Sequence, residues 1–153
     1  MELSLQHKTA LVCGSSQGIG KAIAIELAQL GATCILLARN FTTLQQAVKE
    51  LPVSNGQLHA YHAVDFKDLD ALKELVANIT KVQPIDILIN NTGGPAAGPI
   101  ETADPVAFQD AFSQHLVCNH ILAQAVIPAM KKNGWGRIIN VISTSVRIPL
   151  DNL

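Results

Sequence analysis

Thr9-Ala10-Leu11-Val12-Cys13 runs without a break into Gly14-Ser15-Ser16-Gln17-Gly18-Ile19-Gly20, and the apolar positions Ile19, Ala22, Ile23, Leu27 and Leu30 follow at helical spacing. The first five residues suit a covered strand, and the spacing of the last five marks one face of a helix. Gly31 closes that stripe as a C-terminal cap. A strand, a glycine-rich turn and a helix in this order bring helix N-terminal amides to the carboxyl end of a strand, where α/β proteins hold the pyrophosphate of a dinucleotide. An ordinary βα turn is the alternative reading of three glycines; the strand before, the helix after and the continuation below give the placement its weight.

Outward from this turn the same alternation repeats. Residues 34–38 form a second expected strand, 43–51 a short helix stopped by Pro52, and 57–64 a third strand whose alternating pattern suits a place near the sheet edge. Leu69, Leu72, Leu75, Val76 and Ile79 make the next helical stripe, and residues 85–90 are almost wholly apolar, as a central parallel strand requires. Gly93-Gly94-Pro95-Ala96-Ala97-Gly98-Pro99 is too rich in glycine and proline for a helix. Asp104-Pro105 then supplies an N-cap and a first-turn proline for a long helix to about Met130, in which Pro128 predicts a kink. Residues 136–143 are the fifth strand, and no helix follows to cover the sheet beyond it. Five strands alternating with four helices predict one α/β domain over residues 1–153, a doubly wound parallel sheet that stops after its fifth strand.

Composition narrows the function classes. Apolar residues make up 48% of the 153 and charged residues 15%, with a mean hydropathy of +0.27. That is apolar for a soluble monomer of this size, so part of the surface is expected to meet another chain, as in a homo-oligomer, or further polypeptide. A net charge of -1 without a basic run argues against nucleic acid or an anionic membrane as partner. The longest apolar runs fall short of the roughly 18 residues of a membrane span, and Met1-Glu2-Leu3-Ser4-Leu5-Gln6-His7-Lys8 lacks the apolar core of a signal peptide, so a cytoplasmic location is expected. Cys13, Cys34 and Cys118 are odd in number and far apart, which favours buried reduced thiols. His115 and Cys118 share a helix face while His120 turns away, so no metal site is expected.

The Gly-x-x-x-Gly-x-Gly spacing, Asp65 after the third strand, Asn90-Asn91-Thr92-Gly93 after the fourth and Gly136-Arg137-Ile138-Ile139-Asn140-Val141-Ile142-Ser143 in the fifth together resemble the short-chain dehydrogenase/reductase family over nearly the whole chain. The family's motif after the fourth strand is Asn-Asn-Ala-Gly. The resemblance implies a Rossmann-like fold and an NAD(P)-dependent oxidoreductase, with hydride transfer between cofactor and the carbonyl or secondary alcohol of a small molecule. It implies that Gly14, Ser15, Ser16, Gln17, Gly18 and Ile19 hold the pyrophosphate, with Gly20 completing the motif. It likewise implies that Asp65 and Phe66 face the adenine, and that Asn91 and Gly93 lie along the ribose. For Asp65 a cap on the following helix is the alternative. Ala38-Arg39-Asn40 lacks the acid with which NAD enzymes bind the ribose 2′-hydroxyl, and Arg39 can pair with a 2′-phosphate or stand as a solvated surface arginine. NADP is therefore expected, with NAD remaining open.

In the family a serine orients the substrate carbonyl, a tyrosine passes the proton, and a lysine four residues later lowers the tyrosine pKa. Ser143 matches the serine. The tyrosine and lysine are expected just past Leu153, and the one tyrosine present, Tyr61, lies in the third expected strand. A positioned general acid contributes about 100- to 10,000-fold, so the expectation is a cofactor-binding front end that is a very weak catalyst alone. Counting back from Gly136-Arg137, the asparagine of the family's long helix falls at His115, with Asn119 one turn on. An altered site and a register shift are both open, and His115 is a candidate acid–base group or a packed histidine. Asn91-Thr92-Gly93-Gly94-Pro95 and Ser143-Thr144-Ser145-Val146 resemble a divergent branch of the family. The alternative to an enzyme is a dinucleotide-binding or regulatory protein without catalysis, or an oligomerisation unit built on the long helix.

Overall fold

The unbroken apolar run at Thr9–Cys13 (β1) is buried along its whole length, because a parallel strand at the centre of a sheet is covered from both sides. The computed structural model describes residues 3–94 and 97–148, so Pro95 and Ala96 of the expected glycine–proline loop lie outside the described residues. β1 pairs in parallel with β2 (Thr33–Ala38) on one side and β4 (Ile87–Asn90) on the other. β3 (Ala60–Ala63) adds to β2 and β5 (Arg137–Asn140) to β4, giving the order β3-β2-β1-β4-β5. The winding reverses between β1 and β4, which leaves a crevice at the carboxyl ends of those two strands.

Strand alternation divides the core in two. Leu11, Cys13, Ile35, Leu37 and Leu88 face the layer of α3 (Leu69–Val82) and α5 (Cys118–Lys132), meeting Leu72, Val76, Leu122 and Val126. Ala10, Val12, Leu36, Ile87 and Ile89 face the other way, towards α1 (Gly18–Gln29) and α2 (Phe41–Lys49). In α1 the residues meeting the sheet are Ala24 and Ala28, and these small side chains let the helix lie close to the strands behind the glycine turn. Leu11, Leu36 and Leu88 have no solvent exposure, and truncation of any of them to alanine should cost about 2–5 kcal/mol.

Helix ends follow local chemistry. Asn40 accepts from Thr43 N at 3.0 Å and starts α2 two residues before the expected position. Asp68 accepts from Ala71 N at 2.9 Å at the head of α3. Gly31, at φ +99°, ends α1 as expected, with Gly31 N donating to Ala28 O and Ala32 N to Leu27 O.

Three expectations need correction. The third strand covers Ala60–Ala63 only. Gln57 is buried and donates to Ala28 O at 2.7 Å, while the His59 ring takes the amide of Cys34 at 3.0 Å and contacts Pro52 O at 2.8 Å, so side chains do there what a strand ladder would. The fifth strand is likewise short, Arg137–Asn140, and exposed along its length. The long helix starts as α4 (Pro105–Phe112), capped by Asp104 on Val106 N at 2.9 Å, and passes through a π turn at Ser113–Val117 before continuing as α5. It remains helical through Pro128, and the π turn is an irregularity that the sequence did not signal. Phe108, Phe112 and Leu116 form an exposed stripe on its outer face. Among the described residues no helix is long and apolar enough to cross a membrane.

Candidate functional site

The crevice at the strand ends is a cleft of about 710 Å³, within the range of small-molecule sites. Its floor is the glycine turn. Gly14 leaves β1 at φ +58°, a conformation that costs other residues roughly 1–2 kcal/mol. A Cβ on Gly14 would run into the backbone carbonyl of Asn91, and one on Gly20 would meet Gly14 O and stand 2.8 Å from Asn91 Nδ2. The Asn91 amide donates to Cys13 O and Gly14 O, each at 3.3 Å, and so clamps the turn against the end of β4.

The seven residues of the glycine motif therefore separate into two groups. Gly14, Ser16, Gln17, Gly18 and Ile19 line the cleft. Ser15 does not: it is fully buried, and its amide and hydroxyl both turn to Leu37 O of β2, at 3.3 and 3.4 Å. Gly20 also lies beneath the turn, buried, where only a residue without a side chain fits. Both support the loop from below and are not among the residues that line the cleft.

The N-terminus of α1 opens into this cleft without a side-chain cap and without an acid in its first turn, whereas α2, α3 and α4 are each capped by Asn40, Asp68 and Asp104. Its orphan amides carry the positive end of the helix dipole, a ready seat for an anion. Arg39 lines the cleft beside it, exposed, and has no ion pair among the described residues. Asn40 lines it too, with its side chain committed to capping α2.

Phe66, Asn91 and Gly93 line the opposite wall, and Asp65 is not among the lining residues. Asp65 is exposed outside the cleft lining, its carboxylate accepting from Lys67 N at 3.0 Å. The helix cap considered for it belongs to Asp68 instead. Lys67, Asp110 and Gln114 line the cleft without having been singled out in the sequence, and Lys67 pairs with Asp110 between the β3–α3 turn and α4. Ala107, Asp110, Ala111 and Gln114 recur at helical spacing on one face of the long helix, a periodicity that could have flagged them.

His115 sits in the π turn and lines the cleft, its Nδ1 2.8 Å from Thr92 Oγ1. Asn119 is not among the lining residues. Ser143 is exposed and does not line the cleft; its hydroxyl oxygen accepts from Ser145 N at 3.1 Å and from Ser145 Oγ at 2.8 Å, capping the short 3-10 turn Thr144–Val146. It thus lies past the end of β5, and of the two expected catalytic residues His115 alone is among those lining this cleft. Tyr61 stacks edge-on against Phe41 with ring centroids 5.3 Å apart, a packing role, and is not among the lining residues.

The thiols behind the cleft are held in the neutral form. All three cysteines are free and buried. Burial pushes Cys13 well above the ordinary thiol range, Cys34 to about 12 and Cys118 to about 11. Cys118 donates to Phe66 O at 3.0 Å, fixing the backbone that presents the Phe66 ring to the cleft. Asn90 Nδ2 donates to Asn140 Oδ1 at 2.8 Å across the β4–β5 register, and the side-chain oxygen Asn90 Oδ1 is buried without a partner among the described residues.

Known proteins match this arrangement in sequence and in shape. The sequence signature of the short chain dehydrogenase family matches residues 8–153. The 7alpha-hydroxysteroid dehydrogenase of Escherichia coli (strain K12) is 34% identical over 144 residues, which cover 92% of this chain and 55% of that protein. Gluconate 5-dehydrogenase of Gluconobacter oxydans (strain 621H) is 37% identical over 142 residues, with the same coverage of 92% and 55%. Among solved structures, L-sorbose reductase from Gluconobacter frateurii, complexed with NADPH and L-sorbose, superimposes with a TM-score of 0.90 at 30% identity, over 98% of this chain and 57% of that one. The chain thus spans about half the length of the relatives it matches. With the glycine turn, the switch-point cleft and the family signature agreeing over residues 8–153, the chain belongs to the short-chain dehydrogenase family.

Proposed function

We propose that this chain binds NADP in the switch-point cleft and forms the cofactor-binding half of an oxidoreductase acting on the carbonyl or secondary alcohol of a small molecule. The observation that carries the proposal is the meeting of an uncapped α1 N-terminus with Arg39, which has no ion pair among the described residues, on one cleft wall. A pyrophosphate is an anion that orphan helix amides bind, and a guanidinium without a counter-ion suits a 2′-phosphate in bidentate fashion. The cradle fits such a group: Gly18 and Gly93 line the cleft with open space where a Cβ would stand, so backbone can approach the ligand closely. NADP, when bound, supplies the hydride chemistry. The chain's own part is to seat it, with Gly14, Ser16, Gln17, Gly18 and Ile19 below, Arg39 at one end and Phe66, Asn91 and Gly93 along the far wall.

His115 is the chain's candidate acid–base group, as the one histidine among the described residues that lines the cleft. The exposed stripe of Phe108, Phe112 and Leu116 supports self-association through the long helix, and a cytoplasmic homo-oligomer is part of the proposal. Titration of the purified chain with NADPH and NADH tests the cofactor reading. Arg39→Ala should weaken NADPH by about 10-fold or more, from the roughly 1.5–3 kcal/mol of a charge-assisted hydrogen bond, and leave NADH unchanged. Equal effects on both would sink the 2′-phosphate role.

A second reading, a dinucleotide-binding or regulatory protein without catalysis, is favoured by Ser143 lying outside the cleft and by Tyr61 packing on Phe41. The reading frame that follows the codon of Leu153 discriminates. A downstream Tyr-x-x-x-Lys, or its replacement, supports the enzyme, and a stop codon supports the binding protein.

A further inference from the structure

Two departures from the family pattern, 23 residues apart, meet in one hydrogen bond. Thr92 stands where Asn-Asn-Ala-Gly has alanine, His115 stands where the long helix was expected to carry asparagine, and Thr92 Oγ1 lies 2.8 Å from His115 Nδ1. Both side chains are partly buried and both residues line the cleft. Thr92 follows Asn91, whose amide clamps the glycine turn, so it sits on anchored backbone. His115 is carried by the π turn Ser113–Val117, a helix irregularity that recurs at functional sites.

A ring nitrogen's proton is set by the hydrogen bond that the other nitrogen makes. A threonine hydroxyl has one proton to place. Among the described residues Thr92 Oγ1 has no partner besides Nδ1, and Nε2 of His115 has none at all. Donation from the hydroxyl to Nδ1 uses that proton and leaves the ring proton on Nε2. Each arrangement leaves one proton without a protein acceptor among the described residues, that of Nε2–H in the first and that of the threonine hydroxyl when Nδ1–H donates to Oγ1 in the second; only the first leaves a ring N–H for the acceptor oxygens of a dinucleotide.

We propose that Thr92 is a positioning residue for His115: its hydroxyl donates to Nδ1, fixes the ring as the Nε2–H tautomer, and presents that N–H to the cleft as a donor to an oxygen of the bound dinucleotide. This rests on the cofactor reading above. Both partners are needed for the effect, since an unrestrained imidazole would rotate and exchange tautomers, losing orientation on binding.

The test uses the 153-residue chain itself. Imidazole nitrogen NMR of the ligand-free protein, with the His115 signals assigned by their loss in His115→Gln, should show Nε2 protonated and Nδ1 as acceptor in the neutral ring. Thr92→Ser should preserve that pattern and the NADPH affinity. Thr92→Val, of the same shape without the hydroxyl, should restore a tautomer mixture and weaken NADPH by roughly 2- to 13-fold, the equivalent of one net hydrogen bond. A protonated Nδ1 in the wild type, or a Thr92→Val chain with unchanged tautomer and affinity, overturns the proposal. So does a valine variant that loses thermal stability while its NADPH affinity stays put, since the pair would then only brace the helix. Failure of the wild type to bind NADPH removes the cofactor reading and the donor role with it, while the nitrogen spectra of the free chain still decide the Thr92–Nδ1 bond.

Discussion

Gly20→Ala is the substitution on which helix propensity and tertiary packing disagree in sign. Gly20 is the third residue of α1 and has no positive φ. By propensity alone, alanine for glycine in a helix stabilises by up to about 1 kcal/mol. The added Cβ would, however, meet the carbonyl oxygen of Gly14 at well below contact distance and its carbonyl carbon at 2.8 Å. Those are backbone atoms of a turn tied to Leu37 O by Ser15 and to Asn91 by its amide, so no flexible side chain can yield. Overpacking of this kind costs about 1–3 kcal/mol, which outweighs the propensity gain over most of that range. With a midpoint change of about 2–4 °C per kcal/mol for a chain of this length, Gly20→Ala should melt several degrees lower. It should also bind NADPH more weakly, because the turn must move. Truncating Asn91 in the same chain should not rescue it, since the obstacle is the Gly14 carbonyl. Thermal denaturation followed by circular dichroism, with a parallel NADPH titration, reads both effects. A melting point equal to or above wild type would refute the packing argument.

The remaining predictions concern titration. The three buried thiols, held neutral by desolvation, should stay silent to an aromatic disulfide reagent in the native chain at pH 8 and all react once it is unfolded in denaturant; fast native labelling of any one would contradict the assigned burial. Burial lowers the pKa of His62, so the unfolded chain binds the proton more readily than the folded one. The stabilisation is complete above the ordinary histidine value near 6.5 and is lost as pH falls through the lowered folded value. Urea denaturation at pH 7.5 and 5.5 should show a smaller pH difference in His62→Gln than in wild type, and an unchanged difference would remove His62 from the acid sensitivity.

Local signals made much of the fold legible. β1 was readable to the residue because a doubly covered strand is apolar throughout, and the start of α4 followed from Asp104, whose carboxylate bonds an amide two residues on, whereas the cap of α3 is Asp68 and not the Asp65 that the sequence singled out. The third strand was overestimated because Gln57 and His59 alternate like strand residues, yet spend their side chains on Ala28 O and the Cys34 amide. The π turn has no composition of its own. Ser113–Val117 interrupts the α pattern of a helix in which the sequence signalled only Pro128.

For the site, Gly14-Ser15-Ser16-Gln17-Gly18-Ile19-Gly20 determined by its order and flanks that a turn, a helix N-terminus and a strand end would converge, since those relations hold within a dozen consecutive residues. Which of its side chains meets the cleft is a different matter. Ser15 and Ser16 are chemically identical neighbours, and only the position of the β2 carbonyl of Leu37 turns one inward while the other lines the cleft. The Thr92–His115 bond and the ion pair between Lys67 and Asp110 likewise join residues far apart along the chain. Periodicity and spacing describe a residue relative to its sequence neighbours. The packing of β4 and the long helix around the switch point alone sets the distance and direction across which such partners can bond.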